Sequence, residues 1–286
     1  MPYVETSPGV QLFFEDWGQG QPVVFLHGWP LNHKMFEYQV NQLGNHYRCI
    51  LIDRRGFGMS DKPWEGYDYD TLADDLNAVF EALDLQDITL VGFSQGGGEA
   101  IRYMSRFQGA RVSKLVLLGA AAPHMLKTDD FPDGIDKSMF DEMIENSLQD
   151  RAAFIEDFSK KFFGVSLLNN PVSSKLADWF HGLAMQASPK ATVDNILTFS
   201  QADLRADLAS IQVPTLIIHG TSDQVVPYEI SGQLLAENIA GSQLIPYEGA
   251  PHGFFYTEWP RLNQDLLDFL AVPVVTSSTV PSGTTW

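Results

Sequence analysis

The chain has 286 residues, 44% hydrophobic and 19% charged, which suits one large globular domain with a substantial core. Its formal net charge of −18 comes without a cluster of Lys and Arg, which argues against a nucleic-acid partner and disfavours strongly anionic substrates. Cys49 is the only cysteine, which excludes an intrachain disulfide and a thiolate zinc site and leaves it as a small core residue. Residues 1–6 lack a basic stretch followed by an apolar one, and no apolar run approaches the length of a membrane span. The expectation is a soluble cytoplasmic protein.

Residues 11–17 alternate apolar and polar and predict an edge strand, whereas residues 22–26 and 48–52 are continuous apolar runs of the kind buried on both faces of a sheet. Residues 69–83 place Leu72, Leu76, Val79, Phe80 and Leu83 on one helical face. Strands follow at 88–91 and 114–118, with a helix starting near residue 97 between them. The alternation then breaks over residues 122–203, where helical patterns cover 139–146, 151–163 and 172–185. It resumes with strands at 215–218 and 242–247 and a last helix over 259–270. This order predicts an α/β fold with a mostly parallel central sheet flanked by helices and an inserted helical cap. Residues 1–121 and 204–271 form the core, 122–203 the cap and 272–286 a C-terminal tail. The cap carries Phe154, Phe158, Phe162, Phe163, Trp179, Phe180 and Phe199, most as packing residues and a minority as the lining of an apolar pocket.

Gly92-Phe93-Ser94-Gln95-Gly96 lies between a predicted strand and a predicted helix. A serine in so sharp a turn is held in a strained backbone with its hydroxyl presented, and the flanking glycines remove Cβ atoms that would clash. The alternative is a tight structural turn with no chemistry. A serine nucleophile needs a base and a group that orients the base. His252, in the loop Glu248-Gly249-Ala250-Pro251-His252-Gly253, is the candidate base. Asp223, in His219-Gly220-Thr221-Ser222-Asp223, is the candidate acid, with loop capping as its bland role and Asp203 and Asp207 as fallback acids. His27 and His219 fall at strand ends and read as loop supports, while His46 and His181 read as surface residues. Donors for an oxyanion would be the backbone N–H groups of Gln95, first in the helix, and Trp29, since Pro30 has none.

These segments, together with Asp53-Arg54-Arg55-Gly56-Phe57-Gly58-Met59-Ser60, resemble the α/β-hydrolase superfamily over residues 1–271. Within it the chain is most similar to the cofactor-free haloperoxidase, or perhydrolase, branch and its aryl esterase relatives. The resemblance implies Ser94 as nucleophile, His252 as base, Asp223 as acid, and no haem or metal. It implies a substrate pocket of Trp29, Pro30, Leu126, Phe158, Phe162, Phe199, Val225 and Val226. The branch very commonly has Met where this chain has Gln95, which places a polar side chain near the pocket. A proline at Pro30, as in efficient peracid formers, shifts the Trp29 carbonyl so that it can accept a hydrogen bond from hydrogen peroxide.

The expected activity is cleavage of small carboxylic esters, aryl or short-chain alkyl, through an acyl-enzyme, with peracid formed when hydrogen peroxide replaces water. A lactonase or γ-lactamase would use the same triad. Epoxide hydrolases and haloalkane dehalogenases need a carboxylate at position 94. A ligand receptor of the same fold would show a broken triad or a blocked oxyanion loop, and no dinucleotide fingerprint supports a redox enzyme. The partners implied are a small ester and water or peroxide, with no nucleic acid and no membrane; an exposed sheet edge or apolar face is compatible with a homo-oligomer.

Overall fold

Uninterrupted apolar, β-branched runs build the centre of the sheet. The computed structural model describes residues 2–7, 9–166 and 168–273. The first half contains β1 (Tyr3–Ser7), β2 (Val10–Trp17), β3 (Pro22–Leu26), α1 (Glu37–Leu43), β4 (Arg48–Ile52), α2 (Tyr69–Ala82), β5 (Ile88–Phe93), α3 (Gln95–Arg106) and β6 (Val112–Leu118). The helices α4 (Lys137–Phe162), α5 (Ser174–Ala184) and α6 (Pro189–Gln201) follow. The chain then returns through β7 (Thr215–Gly220), α7 (Gly232–Asn238), β8 (Gln243–Tyr247), α8 (Phe254–Thr257) and α9 (Trp259–Ala271). Among the described residues the sheet order is β1-β2-β4-β3-β5-β6-β7-β8; β2 is antiparallel to both neighbours and the remaining pairs are parallel. No helix of the described residues is long and apolar enough to cross a membrane.

Parallel strands covered on both faces alternate their side chains between two cores. Val23 and Phe25 of β3 join Phe36, Phe57 and Phe93 on one face, while Val24 and Leu26 join Leu72, Leu76, Phe80 and Ile101 on the other. Helix α2 begins at Asp68, whose side chain accepts from the Thr71 N–H at 3.0 Å, and buries its predicted apolar stripe except for the half-buried Leu83 just past its end.

Two expectations need correction. Residues 11–17 are not at the edge, because β1 pairs with β2 and takes that place; Val4 is its one buried apolar side chain, too weak a signal to read as a strand. The helical patterns at 139–146 and 151–163 hold as two helical segments of α4, separated at Asp150 (φ −151, ψ 85), whose Oδ1 accepts from the Ala153 N–H at 3.0 Å and caps the second. Helix α6 escapes an apolar-period reading because Thr192, Asn195 and Ser200 share its buried side with Ala191 and Ile196. The expected tail falls almost wholly outside the described residues, from position 274 onward.

Lys114 is a charged residue on the buried strand β6, and its partners explain it. Its ammonium donates to the carbonyls of Phe269, Leu270 and Val272 at 3.0, 2.7 and 2.6 Å, closing the C-terminal end of α9. Lys114→Met, similar in length and without donors, is expected to cost about 1–3 kcal/mol by taking the ammonium donor from the Leu270 and Val272 carbonyls. The check is the urea midpoint of the variant against wild type.

Candidate active site

The carboxyl ends of β3, β5, β7 and β8 bring the candidate residues to one edge of the sheet. Ser94 follows β5 directly, with φ 53 and ψ −120, a backbone that L-residues rarely adopt. Three hydrogen bonds hold it there: its N–H donates to the Leu118 carbonyl, and its own carbonyl accepts from the Gly97 and Ala121 N–H groups, each at 2.9 Å. The turn leaves no room for side chains beside the serine. A Cβ on Gly92 would lie 2.3 Å from the Gly96 carbonyl oxygen, and one on Gly96 would lie 2.4 Å from that of Leu26.

Asp223 and His252 meet across the loops after β7 and β8. The His252 Nδ1 lies 2.5 Å from the Asp223 Oδ2, with both side chains buried. The other oxygen, Oδ1, accepts the Val225 and Val226 N–H groups at 2.8 Å each. His219 donates from Nε2 to the Val226 carbonyl at 2.9 Å, with the same nitrogen 3.4 Å from the Asp223 Oδ2. Burial alone would push the Asp223 carboxyl up, but its interaction with the His252 and His219 imidazoles outweighs it. The carboxylate is therefore held far below the usual range. With Nδ1–H donated to Asp223, the His252 Nε2 carries a lone pair, and it is buried without a protein partner. The imidazole is packed against Phe93 and Phe162, at ring-centroid distances of 4.8 and 4.9 Å. The fallback acids are engaged elsewhere, Asp203 with Arg205 at 2.5 Å and Asp207 with Arg102 at 3.3 Å.

Among the described residues, neither the Trp29 nor the Gln95 backbone N–H donates to a protein acceptor outside the regular elements. The side chains of both are occupied. The Trp29 indole donates to the Thr192 carbonyl at 3.0 Å. Gln95, expected to bring polarity to the pocket, turns away from it: it donates from Nε2 to the Asn195 Oδ1 and accepts from the Arg54 Nη1 at 3.2 Å. Arg54 is buried, donates to the His27 carbonyl at 2.8 Å and pairs with buried Glu99 at 2.6 Å. Burial raises the Glu99 pKa, and Arg54 opposes that shift. Sequence alone assigns no role to the Arg54 or Asn195 side chain. The charge after strand 48–52 was the one available signal for Arg54, and Asn195 gave none.

A cavity of about 490 Å³ opens onto Ser94. Five of the expected pocket residues line it, namely Trp29, Phe158, Phe199, Val225 and Val226. Pro30, Leu126 and Phe162 do not. Phe162 is fully buried behind the His252 ring, Pro30 is buried, and Leu126 is only half-buried and yields its place to Met125 and Ile135. Helix α4 supplies much of the remaining wall through Phe140, Met143 and Phe154, with Glu142, Asp150, Asp157 and Lys161 as a charged margin. The space has the size of an ordinary small-molecule site.

His27 supports this edge in the neutral form. Its Nδ1 donates to the Gly28 carbonyl at 3.0 Å and its Nε2 accepts the Arg54 N–H at 3.0 Å. Burial, reinforced by the Arg54 charge, lowers its pKa from 6.5 to about 3. Below about pH 6.5 the unfolded chain therefore binds a proton that folded His27 refuses until about pH 3. Its contribution is complete above the unfolded value and is lost as pH falls through that window, at a slope of up to about 1.4 kcal/mol per pH unit. His27→Gln is expected to lower stability at pH 8 and to flatten the decline of the urea midpoint between about pH 6.5 and about pH 4.

A family model described as alpha/beta hydrolase fold matches residues 21–258. The chain is 46% identical over 268 residues to an AB hydrolase superfamily protein of Bacillus subtilis, covering 93% of this chain and 98% of that one. It is 41% identical over 275 residues to a bifunctional esterase/perhydrolase of Acinetobacter calcoaceticus, covering 94% and 99%. The crystal structure of a bromoperoxidase from Bacillus anthracis superposes with a TM-score of 0.92 at 43% identity, covering 94% of this chain and 99% of that one. The strand order, the turn at Ser94 and these matches along nearly the whole chain agree: this protein belongs to the α/β-hydrolase fold family, in its haloperoxidase and esterase/perhydrolase branch.

Proposed function

We propose that this protein is a serine esterase that cleaves small carboxylic esters through an acyl-enzyme and passes the acyl group to water or hydrogen peroxide. The observation that carries the reading is the buried His252, oriented by an ionised Asp223 and with a free Nε2, in a fold whose strained turn at Ser94 lines the cavity. Ser94 Oγ attacks the ester carbonyl carbon while His252 Nε2 takes the hydroxyl proton. Asp223 keeps the imidazole in the required tautomer and stabilises the imidazolium. The Trp29 and Gln95 N–H groups face the developing oxyanion, and a well-placed donor of this kind is worth about 3–4 kcal/mol. Collapse expels the alcohol, protonated by His252. Water or hydrogen peroxide, deprotonated in turn by His252, then attacks the acyl-enzyme to give the carboxylic acid or the peracid and to restore Ser94.

The relative named as a bifunctional esterase/perhydrolase supports the peroxide branch, as does the proline at Pro30. The cavity volume of about 490 Å³ favours aryl esters alongside short alkyl ones. In this reading residues 122–203 are a cap, with Phe154, Phe158 and Phe199 supplying its apolar contact to substrate.

The test is p-nitrophenyl acetate turnover by the purified protein, with and without hydrogen peroxide, while peracetic acid is monitored. Turnover with peracid is the expected result; turnover without it rejects the peroxide branch and keeps the esterase. Ser94→Ala is expected to remove at least about a thousandfold of the ester turnover with the fold intact, and wild-type rates in that variant would reject Ser94 as nucleophile. Pro30→Leu is expected to lower the ratio of perhydrolysis to hydrolysis while ester hydrolysis stays measurable, and an unchanged or higher ratio would overturn the role given to Pro30.

A further inference from the structure

Helix α6 grips both segments that carry the proposed oxyanion donors, and we infer that Asn195 on this helix is a positioning residue for the oxyanion hole. The inference rests on the serine-esterase reading above. Thr192, Asn195 and Phe199 stand at i, i+3 and i+7 along α6 and so share one face of it. The Thr192 carbonyl accepts the Trp29 indole N–H at 3.0 Å. The Asn195 Oδ1 accepts from the Gln95 amide. The Phe199 ring lies edge-on to Trp29 with centroids 5.9 Å apart. One helix thus holds the side chains of both residues whose backbone N–H groups would bind the oxyanion.

The helix itself is tied down close to the sheet edge. Ser188 at its start donates its N–H to the Gly56 carbonyl at 2.8 Å, and the Thr198 hydroxyl donates to the Tyr67 carbonyl at 2.8 Å. A Cβ on Gly56 would lie 2.3 Å from the Ala191 Cβ, so only glycine admits the helix at this distance. Asn195 has no freedom of its own. Its Nδ2 donates to the Ala191 carbonyl at 2.8 Å, which fixes which atom faces Gln95. Gln95 and Asn195 are both fully buried, so their shared hydrogen bond has no water to replace it. Behind Gln95 stands Arg54, which also donates to the carbonyl of His27, two residues before Trp29.

The two donors sit on separate segments, and their spacing is a tertiary quantity. Small displacements matter, since a misplacement of about 1 Å at a reacting centre can cost about a hundredfold in rate. Losing Asn195 leaves the Gln95 amide donor unpaired and free to draw its backbone out of line.

Wild-type protein is first treated with an organophosphonate. No label on Ser94 would overturn the esterase reading and this inference with it; a label on Ser94 leaves the inference to be decided by the variants. Asn195→Leu is expected to lower kcat for p-nitrophenyl acetate about tenfold and to weaken binding of an alkyl boronic acid by a similar factor, with KM changed less than about twofold. If Asn195→Leu yields no folded protein, Asn195→Ala is read the same way. A lower melting temperature with unchanged kcat and boronate affinity would overturn the inference and leave Asn195 as a packing residue.

Discussion

The backbone of Ser94 is held at φ 53 and ψ −120, in a region that costs of order 1–3 kcal/mol for a residue with a side chain. Holding it there constrains everything around it. The strand before it must be central, so that β3 and β6 can pair on either side and Leu118 can accept the Ser94 N–H. The helix after it must start at once, with glycines where α3 passes within contact of the Leu26 carbonyl. Two apolar cores on either side of the sheet supply the stability that this strained turn consumes.

Around the turn the protein buries several charged groups, each of them paired. Asp223 accepts from His252, Val225 and Val226; Arg54 is shared between Glu99, Gln95 and the His27 carbonyl; Asp53 accepts the His33 N–H and imidazole at 2.8 and 2.7 Å. Ion pairs of this kind add little net stability because desolvation offsets their attraction, but breaking one leaves an isolated charge in the core. Their effect is directional. They lock the loops after β3, β4, β5, β7 and β8 into a single arrangement, in which the His252 Nε2 stands as a buried acceptor without a protein donor. A preorganised polar layer beneath an apolar cavity is the arrangement that lets fixed dipoles act on a developing charge without reorganising.

Sequence alone carries the fold where the cause is local. The parallel strands 22–26, 48–52, 88–91, 114–118 and 215–218 lie inside observed strands because continuous apolar runs have few other homes in a folded chain. The strained serine was visible because glycines on both sides and a strand-to-helix change leave that conformation as the one available. Asp223 and His252 lie 29 positions apart in loops after strands, and only tertiary structure sets them 2.5 Å apart.

Composition, periodicity and the turn at Ser94 were thus determined by the sequence itself, since each depends on a few neighbouring residues. The edge strand β1, paired with the neighbouring β2, was hidden by its single buried apolar side chain, whereas helix α6 was decided by packing partners distant in the chain. The same holds for the cavity, where Met125 and Ile135 stand in place of Leu126, and for Gln95, whose polar side chain faces Asn195 a hundred residues away instead of the substrate. A buried polar group must find a partner, and which partner lies within 3 Å is fixed only when the helices and loops have closed over it.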